Sequence, residues 1–258
     1  MDGRGLKGLW AAGRPTFGAW ITLADPAVSA VMANVGFDFL VLDAEHSPFD
    51  PETLRTMLLV LKDREAVPIV RIRSNDESIV KQVLDWGAEG VMFPLILSAA
   101  DARRAAGACR YPPRGVRGVN PREASNFFKD FDHYMATAND RIIAILQVER
   151  EEAVHNLEEI LQVRDLDALM IGPADLSFSL GIPMQFKHPK LRAAIEETMR
   201  KAKSTGIPVG VQWDDDIEHL KEYVGRGVTF FISPLADYDF ISIGSTQWLR
   251  TMRQAAQG

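Results

Sequence analysis

Short runs of consecutive apolar, β-rich residues alternate along this chain with stretches whose apolar positions recur every three or four residues. The strand-like runs are Phe17–Thr22, Phe37–Asp43, Pro68–Ile72, Gly90–Ile96, Arg141–Glu149, Leu166–Ile171, Pro208–Gln212 and Val228–Ser233. The helix-like stretches are Pro26–Val35, Pro51–Arg64, Asp76–Trp86, Ala99–Arg110, Glu151–Val163, Pro189–Ser204, Asp214–Val224 and Ser242–Ala255. Three of these helices open on proline, whose fixed φ suits the first helical position. The stretch Tyr111–Phe131 breaks the rhythm: YPPRGVRGVNPREASN holds three prolines and two glycines, which argues against a regular element. Loops this long in compact domains are usually functional.

Eight β-then-α units with continuously apolar strands are what a buried parallel sheet requires. Eight is also the number that closes a (β/α)8 TIM barrel, and about 250 residues is an ordinary length for one. The competing arrangement is an open doubly wound sheet. No linker or shift in composition divides the chain, so the α/β reading is one barrel domain over 1–258.

Composition narrows the function rather than the fold. Hydrophobic residues make up 47% and charged residues 25%, which excludes a disordered or fibrous chain. A net charge of −6 argues against a nucleic-acid partner. No apolar run approaches the ~18 residues of a membrane span, and the first residues lack a signal-like apolar stretch. The expectation is a soluble, cytoplasmic chain that engages neither nucleic acid nor membrane. A single cysteine, Cys109, leaves no intramolecular disulfide and reads as a small core hydrophobe.

Barrel enzymes place their chemistry at the C-terminal strand ends. Read through that filter, strand two ends in Asp43-Ala44-Glu45-His46, strand three in Arg71-Ile72-Arg73, strand five in Gln147-Val148-Glu149-Arg150 and strand six in Gly172-Pro173-Ala174-Asp175. Strand seven ends in Gln212-Trp213-Asp214, and Trp20 lies close to the end of strand one. No lysine ends a strand, which leaves imine chemistry without its amine. Glu149 and Asp175 sit on neighbouring strands and can converge on one point. Two carboxylates without a histidine make an oxygen-rich site suited to Mg²⁺ or Mn²⁺; a pair of solvated or helix-capping acids is the plainer alternative. Gln147 has the parity of Glu149 and can steer a substrate oxygen, or can be a polar layer inside the barrel. His46 is the one histidine at a strand end. Asp43 three residues earlier can fix its tautomer and make it a general base, against a surface or capping role. Arg71 closes an apolar strand and must meet an acid or a substrate oxyanion. The turn Gly172–Asp175 offers backbone N–H groups to an anion.

With these positions assembled, the sequence resembles the HpcH/HpaI aldolases, the metal-dependent class II pyruvate aldolases. The resemblance runs from about Gly18 to Leu235 and is carried by LDAEHSP (Leu42–Pro48), RYPPRGVRG (Arg110–Gly118), QVE (Gln147–Glu149) and IGPADLS (Ile171–Ser177). It implies Glu149 and Asp175 as ligands of a divalent metal, Mg²⁺ or Mn²⁺ with Co²⁺ also admissible, and no organic cofactor. It implies His46 as the base, oriented by Asp43, and Arg71 as the arginine at the keto oxygen. Gln147, Gly172, Pro173, Ala174 and Asp175 then surround the donor, with Trp20, Gln212 and Trp213 as further substrate-binding positions. The implied reaction makes or cleaves 4-hydroxy-2-oxo acids from a pyruvate or hydroxypyruvate enolate and an aldehyde. The implied assembly is a homo-oligomer, a hexamer built as a trimer of dimers, with an exchanged C-terminal helix. Trp248, Leu249 and Met252 share one side of that helix, which by itself is ordinary core patterning. GVQWDDD after strand seven and SPLADYDF after strand eight depart from the family's usual pattern and bear on acceptor choice. A citrate-lyase-like enzyme acting on a CoA thioester is the alternative, with Arg114, Arg117 and Arg122 available for CoA phosphates.

Overall fold

A computed structural model describes residues 1–212 and 216–257. Its strands are β1 (Thr16–Ile21), β2 (Phe39–Asp43), β3 (Val67–Arg71), β4 (Gly90–Phe93), β5 (Ile143–Val148), β6 (Ala168–Ile171), β7 (Val209–Gln212) and β8 (Phe230–Ala236). They pair in parallel in sequence order, and β8 closes back on β1. The (β/α)8 barrel expected from the alternation is therefore formed, and the open sheet is not. The helices are α1 (Gly3–Ala11), α2 (Pro26–Ala33), α3 (Pro51–Leu61), α4 (Glu77–Asp85), α5 (Ala99–Ala108), α6 (Phe131–Arg141), α7 (Glu151–His155), α8 (Leu157–Leu161), α9 (Pro173–Ser179), α10 (Pro189–Thr205), α11 (Ile217–Arg226) and α12 (Asp237–Ala255). No helix among the described residues is long and apolar enough to cross a membrane.

Side-chain alternation divides the core in two. Leu40, Leu42, Val70, Leu146, Leu169 and Ile171 face outward and bury the apolar faces of the helices. Phe39, Val41, Ile69, Ile145, Met170 and Phe230 face inward and fill the barrel. Two inward glycines make that filling possible. A Cβ at Gly18 would lie 2.2 Å from the Phe39 ring, and one at Gly210 would lie 2.0 Å from the Phe230 ring. Helix α1, which the hydrophobic pattern does not announce, plugs the floor. Its Leu6 and Trp10 are buried among the inward residues, and the Trp10 ring stacks on Phe230 at 4.4 Å. Trp10 Nε1 donates to Thr16 Oγ1 at 2.8 Å, so this plug leaves its indole satisfied.

Several expected bounds shift. The stretch Glu151–Val163 is two short helices that meet at Asn156, whose Nδ2 donates to the Leu97 carbonyl at 2.8 Å. The turn after β6 opens directly into α9 with Pro173 in its first turn. Helix α6 supplies the missing element after the long loop, with only Tyr134 and Ala138 of its residues buried. Cys109 is buried, and burial pushes its thiol up to about 12, as a core hydrophobe requires.

The last helix overturns the core reading of its apolar side. Trp248 is 64% exposed, and Leu249, Met252, Ile241 and Ile243 are exposed with it. Only the start of α12 is tied to the barrel: the Asp237 carboxylate accepts N–H groups from Thr22 and Leu23, both at 2.9 Å.

Candidate active site

Inward parity carries past the last strand residues and gathers polar groups at the mouth. On β2 it runs Phe39, Val41, Asp43; on β3, Val67, Ile69, Arg71; on β5, Ile143, Ile145, Gln147 and then Glu149; on β6, Ala168, Met170 and then Gly172. Asp43 and Arg71 are register partners across β2 and β3. Their side chains form a fork: Arg71 Nε donates to Asp43 Oδ1 at 2.8 Å and Nη2 donates to Oδ2 at 2.7 Å. Two parallel charge-assisted bonds fix the guanidinium plane. The Trp20 ring packs on that plane, 4.3 Å from Cζ. Trp20 Nε1 is buried without a partner, as is Gln147 Oε1.

Asp43 also holds the following turn. Its Oδ1 accepts the backbone N–H groups of Glu45 at 3.2 Å and His46 at 3.4 Å. The expected bond from Asp43 to the imidazole is therefore not formed, because Arg71 occupies both carboxylate oxygens. The carboxylate near His46 Nε2 is Glu45, at 3.8 Å, and the imidazole is 68% exposed at the mouth. Glu45 lies 3.4 Å from Arg71 Nε as well. Burial raises its carboxyl above the ordinary range; Arg71 opposes this, and the charge of Glu149 adds to it. Arg73 donates to the carbonyls of Ala44 at 2.9 Å and Phe49 at 2.6 Å, which pins the loop that carries His46.

Glu149 is buried beside this group. Its Oε1 accepts the Leu95 N–H at 2.8 Å, and its Oε2 accepts from Gln147 Nε2 at 3.0 Å. Leu95 adopts a left-handed φ of 54°, unusual for a branched side chain and the way its N–H is aimed at the carboxylate. Burial raises the Glu149 carboxyl; the Leu95 bond opposes this, and the charge of Asp175 adds to it. Asp175 stands exposed in the first turn of α9. Gly172 keeps room between them: a Cβ there would lie 3.3 Å from Glu149 Cβ and 3.6 Å from its Oε2.

The donor set suits a hard divalent cation. Glu149 feels the charge of Asp175, with Arg71 and Arg150 opposing it, yet among the described residues it forms no ion pair, and the Gln147 oxygen beside it lacks a hydrogen bond. Among the described residues no group of three or more acidic, histidine or cysteine side chains converges. The protein would therefore supply two ligands and leave the rest to solvent or substrate, as Mg²⁺ and Mn²⁺ sites commonly do.

Of the remaining expected residues, Pro173, Ala174 and Gln212 line a neighbouring cavity. Trp213 lies outside the described residues. The arginines once available for CoA phosphates are engaged elsewhere. Arg114 binds Asp140 at 2.6 Å and Asp165 at 2.5 Å, Arg117 binds Asp85 at 2.8 Å, and Arg122 binds Glu123 at 2.9 Å. Leu95 is the mouth group that sequence reasoning assigned no role, and Glu45 entered it only as an acid beside His46 whose charge Arg71 could meet. Glu45 was legible from its parity with Asp43. A left-handed leucine carries no sequence signal.

Residues 16–232 match the sequence profile of HpcH/HpaI aldolase/citrate lyase. The chain belongs to this family. It is 37% identical over 205 residues to a hydroxypyruvate/pyruvate aldolase of Roseobacter denitrificans, covering 79% of this chain and 80% of that one. It is 36% identical over 226 residues to the 4-hydroxy-2-oxo-heptane-1,7-dioate aldolase of Salmonella typhimurium, covering 87% and 86% of the two chains. The crystal structure of an HpcH/HpaI aldolase from Desulfitobacterium hafniense superposes with a TM-score of 0.88 at 30% identity, over 96% of each chain. Within the family's shared frame, the segment Arg110–Gly118 now reads as structural. Its Arg110 bonds Asp167, and a Cβ at Gly115 would lie 2.1 Å from the Gly107 carbonyl oxygen.

Proposed function

We propose that this chain is a divalent-metal-dependent aldolase that makes or cleaves 4-hydroxy-2-oxo acids, with pyruvate or hydroxypyruvate as donor. The observation that carries the reading is the grouping, at one barrel mouth, of the Glu149 and Asp175 carboxylates with a clamped arginine and an exposed histidine. Glu149 and Asp175 hold the cation, Mg²⁺ or Mn²⁺. When bound, it supplies Lewis-acid polarisation of the donor's 2-oxo group. Arg71 is clamped by Asp43 through Nε and Nη2, which among the described residues leaves Nη1 without a hydrogen bond and able to donate to the enolate oxygen. The backbone of Gly172–Asp175 receives the donor carboxylate, and Gln147 orients it. Trp20 closes one face of the site and keeps Arg71 in plane. His46 takes the C3 proton in the synthetic direction and returns it in cleavage, with Glu45 as the carboxylate at its side. Carbon C3 then bonds to the aldehyde carbon as the aldehyde C=O π bond opens, and the resulting alkoxide takes a proton from His46 or from solvent to become the 4-hydroxy group. The CoA-thioester alternative is disfavoured because Arg114, Arg117 and Arg122 are already paired with acids.

The test is exchange of the pyruvate methyl protons in D₂O, followed by NMR. Chelator-treated protein is expected to be silent, and Mg²⁺ or Mn²⁺ to restore loss of the methyl signal. No exchange with any divalent metal, for pyruvate or hydroxypyruvate, overturns the reading.

The apolar side of α12 favours a second, quaternary statement. Trp248, Leu249 and Met252 are exposed in the isolated chain, which supports exchange of this helix with a neighbouring copy in a hexamer. Light scattering on the full chain is expected to give that assembly; a stable monomer would exclude it.

A further inference from the structure

Among the described non-glycine residues with a left-handed φ, Leu95 alone donates its N–H to a buried carboxylate. A leucine in that region is held at a cost that glycine or asparagine largely avoids. Such a conformation persists only where its surroundings over-determine it. Here both flanks of the β4–α5 turn are pinned. Before it, Phe93 is buried at the end of β4, in register with Leu146 of β5. After it, Ile96 is buried, and Leu97 is tied through both backbone groups. The Leu97 N–H donates to Asp101 Oδ2 at 3.3 Å, and its carbonyl accepts from Asn156 Nδ2 at 2.8 Å. Asp101 is itself fixed: Oδ2 also accepts from Ser98 Oγ at 2.8 Å, and its carbonyl accepts from Asn75 Nδ2 at 2.9 Å.

The Asn156 bond closes a loop. Glu149 and Asn156 flank α7, and both reach back to the same turn. Glu149 Oε1 takes the Leu95 N–H at 2.8 Å, and Asn156 takes the Leu97 carbonyl. The turn is therefore tied at two points to the segment that carries Glu149, and the left-handed φ lies between the two ties. The Leu95 side chain does not explain the strain. It is 49% exposed, and a half-exposed apolar group gains little from burial.

We propose that Leu95 and Asn156 are positioning residues for the cation site: the clamped β4–α5 turn presents the Leu95 N–H to Glu149 Oε1 and so sets that carboxylate before a divalent cation arrives. The inference deepens the metal-dependent aldolase reading above and rests on it. What matters at position 95 is then tolerance of a left-handed backbone, not apolar character. What matters at position 156 is a donor for the Leu97 carbonyl. Groups that orient a metal ligand from outside the coordination shell typically contribute about 10–100-fold to affinity.

The experiment titrates Mn²⁺ into the chelator-treated full chain by calorimetry, without donor or aldehyde, after circular dichroism has verified folding. L95V stays apolar but is β-branched and resists a left-handed φ; its Mn²⁺ affinity is expected to fall by about tenfold. L95N tolerates that region and is expected to keep the affinity within about twofold. N156A, which touches neither the turn's backbone nor Glu149, is expected to lose about threefold, the scale of one neutral hydrogen bond. Unchanged affinity in L95V overturns the inference. So does the opposite order, with L95N weaker than L95V, which would make Leu95 an apolar cover. Should L95V not fold, N156A decides, and unchanged affinity there overturns the inference. Methyl exchange by the unaltered enzyme separates the two levels. Exchange together with a flat Mn²⁺ series sinks this proposal alone, while absence of exchange sinks the aldolase reading and this proposal with it.

Discussion

The floor and the mouth of this barrel are built from the same residue types and treat charge in opposite ways. At the floor every acid named above meets a cation. Asp167 takes Lys7 at 3.0 Å and also bonds Arg110, Asp85 takes Arg117 at 2.8 Å, and Glu89 bonds Arg141. Arg117 is further sandwiched against Tyr111, 4.5 Å from the ring centre. At the mouth, Asp43 and Glu45 share Arg71, and among the described residues Glu149 hydrogen-bonds only a backbone N–H and an amide. Burial raises both Glu45 and Glu149, and each adds to the other's shift or receives from a neighbouring acid. The floor leaves N–H groups of Arg110 and Arg117 and the hydroxyls of Tyr111 and Tyr134 without partners, but its carboxylates are paired. The contrast lies in the carboxylates: Glu149, buried at the mouth without a contacting cation among the described residues, is what a ligand would complete.

The sharpest way to break this contrast is to remove the mouth's own charge. Glu149→Gln or Asp175→Asn is expected to reduce metal-dependent methyl exchange to background. The same Glu149→Gln change should help the empty fold. Because the folded carboxyl titrates above its ordinary value, the folded chain keeps a proton that the unfolded chain has released in the window between the two. Stability of chelator-treated protein therefore falls as pH rises through that window. Gln cannot titrate, so the variant should show a flatter Tm-against-pH curve and a higher Tm above the window. A lower Tm at every pH would mean that Glu149 is structural.

The floor should respond in reverse. Arg117→Ala leaves Asp85 buried without its cation and is expected to cost about 3–5 kcal/mol in denaturant unfolding, while methyl exchange per folded molecule holds. Arg71→Lys keeps the charge but loses the fork and the stack on Trp20. An exchange rate lower by on the order of 10²-fold is expected, the scale of one lost oxyanion donor. His46→Ala should cost roughly 10²-fold in exchange and leave metal affinity, measured by titration calorimetry, within a few-fold. Retained activity in that variant would move the base elsewhere.

The barrel was legible because its strands are apolar on both faces, a pattern that survives without any knowledge of neighbours. The mouth was legible through parity: once Val41 and Ile69 are inward, Asp43 and Arg71 must be. What parity cannot give is which acid a cation chooses. Asp43 reaches His46 through its backbone N–H rather than its imidazole, because Arg71 lies directly across the sheet from Asp43 and takes both carboxylate oxygens. Helix α1 escaped notice for a different reason. GRGLKGLWA holds three glycines in nine residues, yet a Cβ at Gly3 would lie 2.3 Å from the Arg141 carbonyl oxygen, so close approach rather than helix preference explains at least that one. The apolar side of α12 fits core patterning and an exchanged helix alike, because periodicity reports an apolar face and not what covers it.

The two-residue alternation that delivers these side chains also sets a reading frame for change. In β5, positions 145, 147 and 149 address the lumen, while 146 and 148 address the helices. A saturation library over this strand and the residue after it should therefore yield a comb, with folded clones of changed or lost activity at Gln147 and Glu149 and unfolded clones at Leu146 and Val148. Deleting one residue upstream of Gln147 would exchange the two teeth and turn the polar mouth residues into the core. New specificities in such a barrel are reached by substitution and by loops, since its strands tolerate no frameshift of one.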